Sequence, residues 1–210
     1  MKLRSLVLGI FAGFLTIIAF AEKTVNTSEL YWRNARFYLD SKKTAAPYTG
    51  FAAAYYENGK MSEKKQYVYG KLDGTYESWY KNGDKRQKVN YRQGVLSGEY
   101  TTWYPNGNKM MSMTFKFGEK NGPCEVWYVN GKHWMKTNFK NDMVYGDFEI
   151  FDKDGKSSFK IEVANNDVKK VYNASGKEVK KFDSSIYLTT IQRWHNKIMH
   201  LQSTVAGLNR

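Results

Sequence analysis

Residues 79–83 read WYKNG, residues 103–107 WYPNG and residues 127–131 WYVNG, each 24 residues after the last. The glycines carry the same interval further. Gly50, Gly74, Gly98, Gly122 and Gly146 form one series, Gly59, Gly83, Gly107, Gly131 and Gly155 a second, and Gly70, Gly94 and Gly118 a third. A fixed period of this length marks an array of small units that bury surface mainly against their neighbours. In the second series the glycine follows Asn58, Asn82, Asn106, Asn130 and finally Asp154. Asn-Gly and Asp-Gly between alternating residues favour a two-residue type I′ turn, whose central residues both take positive φ. Each unit is therefore expected to be one antiparallel hairpin.

A two-residue turn at Asn82-Gly83 sets Tyr80 opposite Lys85, Trp79 opposite Arg86, Ser78 opposite Gln87, Glu77 opposite Lys88 and Tyr76 opposite Val89. The same rule sets Glu125 opposite Lys136 and Glu149 opposite Lys160. Opposite charges thus recur at one cross-strand position, a contact worth ~0.2 to 1 kcal/mol that the assumed turn did not guarantee. Alternation along each strand then separates two faces. One carries Tyr76, Tyr80, Val89, Tyr91, Tyr100, Tyr104, Met111, Met113, Phe115, Cys124, Val126, Tyr128, Met135, Phe139, Phe148, Ile150, Phe159, Ile161 and Val163, and is expected to be buried. The other carries the Glu-Lys pairs and one large aromatic per unit, Tyr55, Trp79, Trp103, Trp127 and Phe151, with Trp134 across from Trp127. Equivalent aromatics lie two strands apart, roughly 9.6 Å, and form a ladder.

The segments 70–74, 94–98 and 118–122 connect successive hairpins, their glycines allowing tight reversals. The fold class is all-β: an antiparallel β-hairpin repeat array in a single-sheet solenoid, with a C-terminal α-helix. Past Phe159 the pattern degrades, with Asn165-Asn166-Asp167 in place of the glycine connector and a shifted turn at Asn173–Gly176, as a terminal cap does. Tyr187, Ile191, Trp194, Ile198 and Leu201 recur at spacings of 4, 3, 4 and 3, which places an apolar stripe on a helix over 184–201, capped by Asp183 or Ser184. This stripe is expected to pack on an exposed apolar part of the sheet, with docking to a partner or membrane as the alternative.

Residues 1–21 have the basic start, apolar run Leu6–Phe20 and small-residue ending of a secretory signal peptide, so export to a periplasm, outer surface or medium is expected. Residues 22–46 would form an N-terminal cap, with 31–40 a strand or the start of a helix. Residues 47–182 would form the repeat domain and 183–210 the helix and tail. Without Lys2 and Arg4, 31 basic residues face 20 acidic ones, a charge of +11 that favours anionic partners: phospholipid headgroups, acidic glycans and, least of all for an exported chain, nucleic acid. The single cysteine, Cys124, excludes an internal disulfide.

The unit Gly-x-x-x-x-[Trp/Tyr]-Tyr-x-Asn-Gly-Lys, repeated across residues 47–163, resembles the variant form of the membrane occupation and recognition nexus (MORN) repeat. Pro47-Tyr48-Thr49-Gly50 and Tyr55–Lys60 match it closely, whereas Phe151–Lys156 lacks both Trp and Tyr. The resemblance implies a hairpin array that interacts with proteins or membranes, and no particular reaction. Exported proteins of this type are associated with surface adhesion and invasion systems, and cytoplasmic ones with antitoxins. Plant phosphoinositide kinases carry the repeat too, but here no Gly-rich loop is followed by a strand lysine and catalytic aspartate, and there is no P-loop. His133, His195 and His200 lie at no metal-ligand spacing, and a Cys124–His133 dyad is weaker than core packing. The expectation is a non-enzymatic scaffold without cofactor or metal, binding a protein or cell-surface glycan through Tyr55, Trp79, Trp103, Trp127, Trp134 and Arg86, with Asn58-Gly59, Asn82-Gly83, Asn106-Gly107, Asn130-Gly131 and Asp154-Gly155 serving as turns. An antitoxin and a peripheral binder of anionic membranes are the alternatives; the sequence leaves the oligomeric state open.

Overall fold

The computed structural model describes residues 24–39, 46–164, 167–193 and 196. The expected signal peptide, Asn165, Asn166 and the stripe residues Trp194, Ile198 and Leu201 lie outside these. Strands β1 (Thr24–Asn26), β2 (Tyr31–Arg33) and β3 (Arg36–Tyr38) precede the repeats. The repeats supply β4 (Gly50–Tyr55), β5 (Met61–Val68), β6 (Lys71–Trp79), β7 (Lys85–Arg92) and β8 (Val95–Trp103). They continue through β9 (Lys109–Lys116), β10 (Glu119–Trp127), β11 (His133–Lys140), β12 (Met143–Phe151), β13 (Ser157–Ala164) and β14 (Asp167–Tyr172). One 12-stranded sheet runs β1, then β4 to β14 in chain order. Only β1 pairs in parallel; every later pair is antiparallel, as a meander of hairpins requires. Residues 31–38, read as a strand or a helix start, form a separate β2–β3 hairpin instead.

The register holds where the charges marked it: Glu77 pairs with Lys88, Glu125 with Lys136 and Glu149 with Lys160. The side-chain contacts run diagonally, however. Glu77 meets Lys85 at 2.9 Å, Glu125 meets His133 at 2.8 Å, and Lys160 meets Asp147 at 2.7 Å.

The turns correct the sequence reading. The Asn-Gly pairs are not type I′. Asn58, Asn82, Asn106 and Asn130 have no positive φ; only the following glycine does, as at Gly83 (+98°). The Gly83 amide donates to the Tyr80 carbonyl at 2.9 Å and the Tyr80 amide to the Asp84 carbonyl at 2.9 Å. That is a type I turn closed by a glycine bulge, the usual three-residue hairpin loop. Two residues separate paired strands and both take positive φ, as in type I′ turns, at the other end of the sheet, at Tyr69-Gly70, Gln93-Gly94, Phe117-Gly118 and Asn141-Asp142, and in the β2–β3 hairpin at Asn34-Ala35. Of each connector only the first glycine lies in the turn. Gly74, Gly98, Gly122 and Gly146 fall within strands, beside bulges: the two steps from Lys65 to Tyr67 face the four from Tyr76 to Leu72. Such bulges bend and twist the strand that carries them.

The inner face forms the core. Val89, Tyr100, Met111, Met113, Phe115, Cys124, Val126, Met135, Phe139, Phe148, Ile150 and Ile161 are all buried in one cluster. Residues 184–193 are helical (α1), and Tyr187, Leu188 and Ile191 pack on that cluster, so the described part of the stripe serves packing. Asp183 caps α1, accepting the Ser185 amide at 2.9 Å.

Candidate functional site

The phrase Trp-Tyr-x-Asn-Gly divides its labour between two faces. The Tyr56, Tyr80, Tyr104 and Tyr128 hydroxyls donate to the carbonyls of Trp79, Trp103, Trp127 and Phe151, each 23 residues on, at 2.6, 2.7, 2.8 and 3.0 Å. The Asn58, Asn82, Asn106 and Asn130 side chains donate to the carbonyls of Lys81, Pro105, Val129 and Lys153 at 3.1, 3.3, 2.9 and 2.9 Å. Each hairpin is thus stitched to the next through both polar members of the phrase. Asn is retained because its amide donates forward while its oxygen accepts the amide two residues on, as from Asp84 to Asn82 at 3.0 Å. In the last full repeat Asp152 and Asp154 replace Tyr and Asn. Neither carboxylate can donate, and Asp152 instead accepts the amides of Asp154 and Lys156 at 2.9 Å. The backbone bond from Lys156 leads the contacts that hold the Asp152 carboxyl below its usual range.

The tryptophans of the repeated phrase occupy the outer face. Trp79, Trp103, Trp127 and Phe151 end β6, β8, β10 and β12, half-buried, and none joins the core cluster. Tyr55, at the end of β4, is 54% exposed. Side chains from the intervening strands separate the rings. Lys109, paired with Trp103, reaches the Trp127 ring at 5.6 Å, and His133, paired with Trp127, lies 5.2 Å from its ring and 6.1 Å from that of Phe151. The result is a stripe of alternating rings and nitrogen bases. Cation–π contacts of this length hold both partners in place at modest gain.

Two sequence-predicted site residues leave this stripe. The three-residue loop inserts one residue, so Trp79 pairs with Lys85 and Trp127 with His133, leaving Arg86 and Trp134 as the bulged residues. Trp134 packs against the core with its ring 5.7 Å from Tyr128. The Arg86 charge acts on Tyr76, Tyr80 and Tyr100, all of the inner face. The same inserted residue moves His133 away from Cys124: His133 faces Glu125 on the outer side, while the Cys124 thiol is wholly buried and pushed up to about 12 by that burial. Among the described residues no group of three His, Cys, Asp or Glu side chains is placed to hold a metal.

Sequence reasoning missed a second aromatic edge. Tyr69 and Phe117 stand at the first position of type I′ turns, at φ +47° and +53°, and are 69% and 77% exposed. Bulky side chains rarely take this conformation, which disguised both turns. The signal was the glycine after each, at the same interval as Gly94.

Residues 54–69, 72–93 and 96–117 match the family described as the MORN repeat variant. No curated protein matches the chain. The turn and stitch geometry continues past the matched residues, through the hairpins closed at Asn130-Gly131 and Asp154-Gly155. Three consecutive MORN-variant repeats, a non-catalytic repeat type, therefore lie within a longer run of equivalent hairpins: the chain is a repeat scaffold.

Proposed function

We propose that the chain is an exported, non-enzymatic scaffold that binds a protein or cell-surface partner through the outer stripe of Tyr55, Trp79, Trp103 and Trp127. One observation carries this reading. An aromatic recurs at the same place in successive hairpins on a face the core does not use, with its carbonyl pinned by the preceding tyrosine from Trp79 onward. Rigid aromatics flanked by Lys85, Lys109 and His133 lose little freedom on binding, as interface anchors require. Arg86 and Trp134 take no part.

The test replaces Trp79, Trp103 and Trp127 together by Thr, which suits a strand and preserves the polar stitches. Capture of a partner from envelope extracts by the full chain should be lost while the far-UV circular dichroism stays that of a sheet. Unchanged capture removes this face from the proposal.

A further inference from the structure

The opposite end of the sheet carries an aromatic and basic edge that the stitching does not use. The β2–β3 hairpin docks there: the Phe37 amide donates to the Gly70 carbonyl at 2.8 Å, and the Arg36 side chain donates through Nη1 to the Tyr69 carbonyl at 2.7 Å. A cleft of about 270 Å³ opens between that hairpin and the next connector, with Trp32, Phe37 and Leu72 as apolar walls and Lys71 at its rim. Trp32 packs against Phe37, with ring centres 4.8 Å apart and planes tilted by 57°, yet is 63% exposed. On the other side of the Gln93-Gly94 turn a second concavity, of about 510 Å³, is lined by Lys71, Arg92, Val95 and Phe117. Lys71 borders both.

Two further features point to a ligand. Tyr69 and Phe117 adopt a backbone conformation that Asn or Gly would take at lower cost, and being exposed they recover little of it by packing. The linings are also basic: among the described residues the two concavities hold Lys71 and Arg92 and no carboxylate, and the nearby Asp73 accepts the Gln93 amide at 3.2 Å.

We propose that this connector edge is a second docking surface, taking an acidic segment of a partner protein that seats one large apolar side chain under Trp32 and sets carboxylates against Lys71 and Arg92. A walled cleft with a cation at its rim fits a single side-chain knob beside a carboxylate better than a flat lipid surface. The proposal shares with the preceding section only the premise that the chain is a binding scaffold.

The test uses the full chain, ¹⁵N-labelled, and a synthetic peptide of glutamates around one tryptophan. Two control peptides replace the tryptophan by alanine or the glutamates by lysines. Amide shifts should appear at residues 32–37, 70–72 and 92–97 with the first peptide only. Lys71→Glu with Arg92→Glu should weaken binding at least about tenfold. Phe117→Asn should weaken it while leaving the melting temperature unchanged or higher, because Asn accepts positive φ. Variants at Trp79, Trp103 and Trp127 should bind the peptide normally, which separates this edge from the outer stripe. Equal binding of either control peptide, shifts confined to the stripe, or full affinity in the charge-reversed variant would each overturn the proposal. Flotation with phosphatidylserine vesicles that Phe117→Asn abolishes, without peptide binding, would replace it by a lipid-docking edge.

Discussion

Replacing Tyr80, Tyr104 and Tyr128 by Phe removes three hydroxyls and leaves the rings. Each hydroxyl is part-buried and bonds a carbonyl of the next hairpin at 2.7 to 3.0 Å. A hydrogen bond of this kind contributes roughly 0.5–1.5 kcal/mol net. Successive sites lie two strands apart, roughly 9.6 Å, where effects add to within about 0.5 kcal/mol. The triple variant should therefore lose about 1.5–4.5 kcal/mol, toward the lower end because water reaches half-exposed carbonyls. At about 2–4 °C per kcal/mol for a chain of this size, the melting temperature should fall by roughly 3–18 °C. Tyr91 provides the control: it packs against the same core, its hydroxyl makes no hydrogen bond among the described residues, and Tyr91→Phe should be silent. Urea denaturation followed by circular dichroism measures both. A triple variant within about 0.5 kcal/mol of the parent, or a Tyr91→Phe loss of equal size per site, would refute the stitching argument.

Two glycines of the same turn type should behave differently. Gly94→Ala meets open space and bears only the strain of φ +86°, about 1–2 kcal/mol, whereas a Cβ at Gly70 would stand 2.6 Å from the Phe37 carbonyl oxygen and should also loosen the β2–β3 hairpin. Urea midpoints and amide exchange at residues 31–38 distinguish them. Burial raises the Cys124 thiol and the Tyr76 phenol, each to about 12, and raises Tyr67 and Tyr100 as well. Unfolded cysteine and tyrosine lose their protons near about 8.5 and 10, so this stability is fully present below about pH 8.5 and is lost as pH rises toward 12. Denaturation midpoints across that range check the sign, and Cys124 should react with thiol reagents only on unfolding. Lys120, 7% exposed, meets Asp142 at 2.6 Å. Asp142→Asn should cost about 1–3 kcal/mol by removing the carboxylate that the buried ammonium meets, while Lys120→Met should be near neutral in the same assay.

The strands, the register and the buried face were legible because a 24-residue phrase fixes a two-residue alternation, and Glu77 with Lys88 or Glu149 with Lys160 reports the alignment independently. Turn type was not legible. Asn-Gly fits both a type I′ turn and the last two positions of a three-residue loop, and the difference is one inserted residue. That residue decides which face receives Arg86, His133 and Trp134, so the local ambiguity propagated into the site. The true type I′ turns were hidden by the reverse problem, since Tyr69 and Phe117 are poor sequence signals for positive φ. The apolar stripe of α1 was legible through Tyr187 and Ile191, where amphipathic period and packing agree.

Turn geometry assigns the faces, and the faces define the binding stripe, so the backbone φ angles are the most direct test. Three-bond and residual dipolar couplings of the labelled chain should give negative φ at Asn82, Asn106 and Asn130 and positive φ at Tyr69, Gln93 and Phe117. Positive φ at the asparagines would return Arg86 and Trp134 to the tryptophan face and contradict the account.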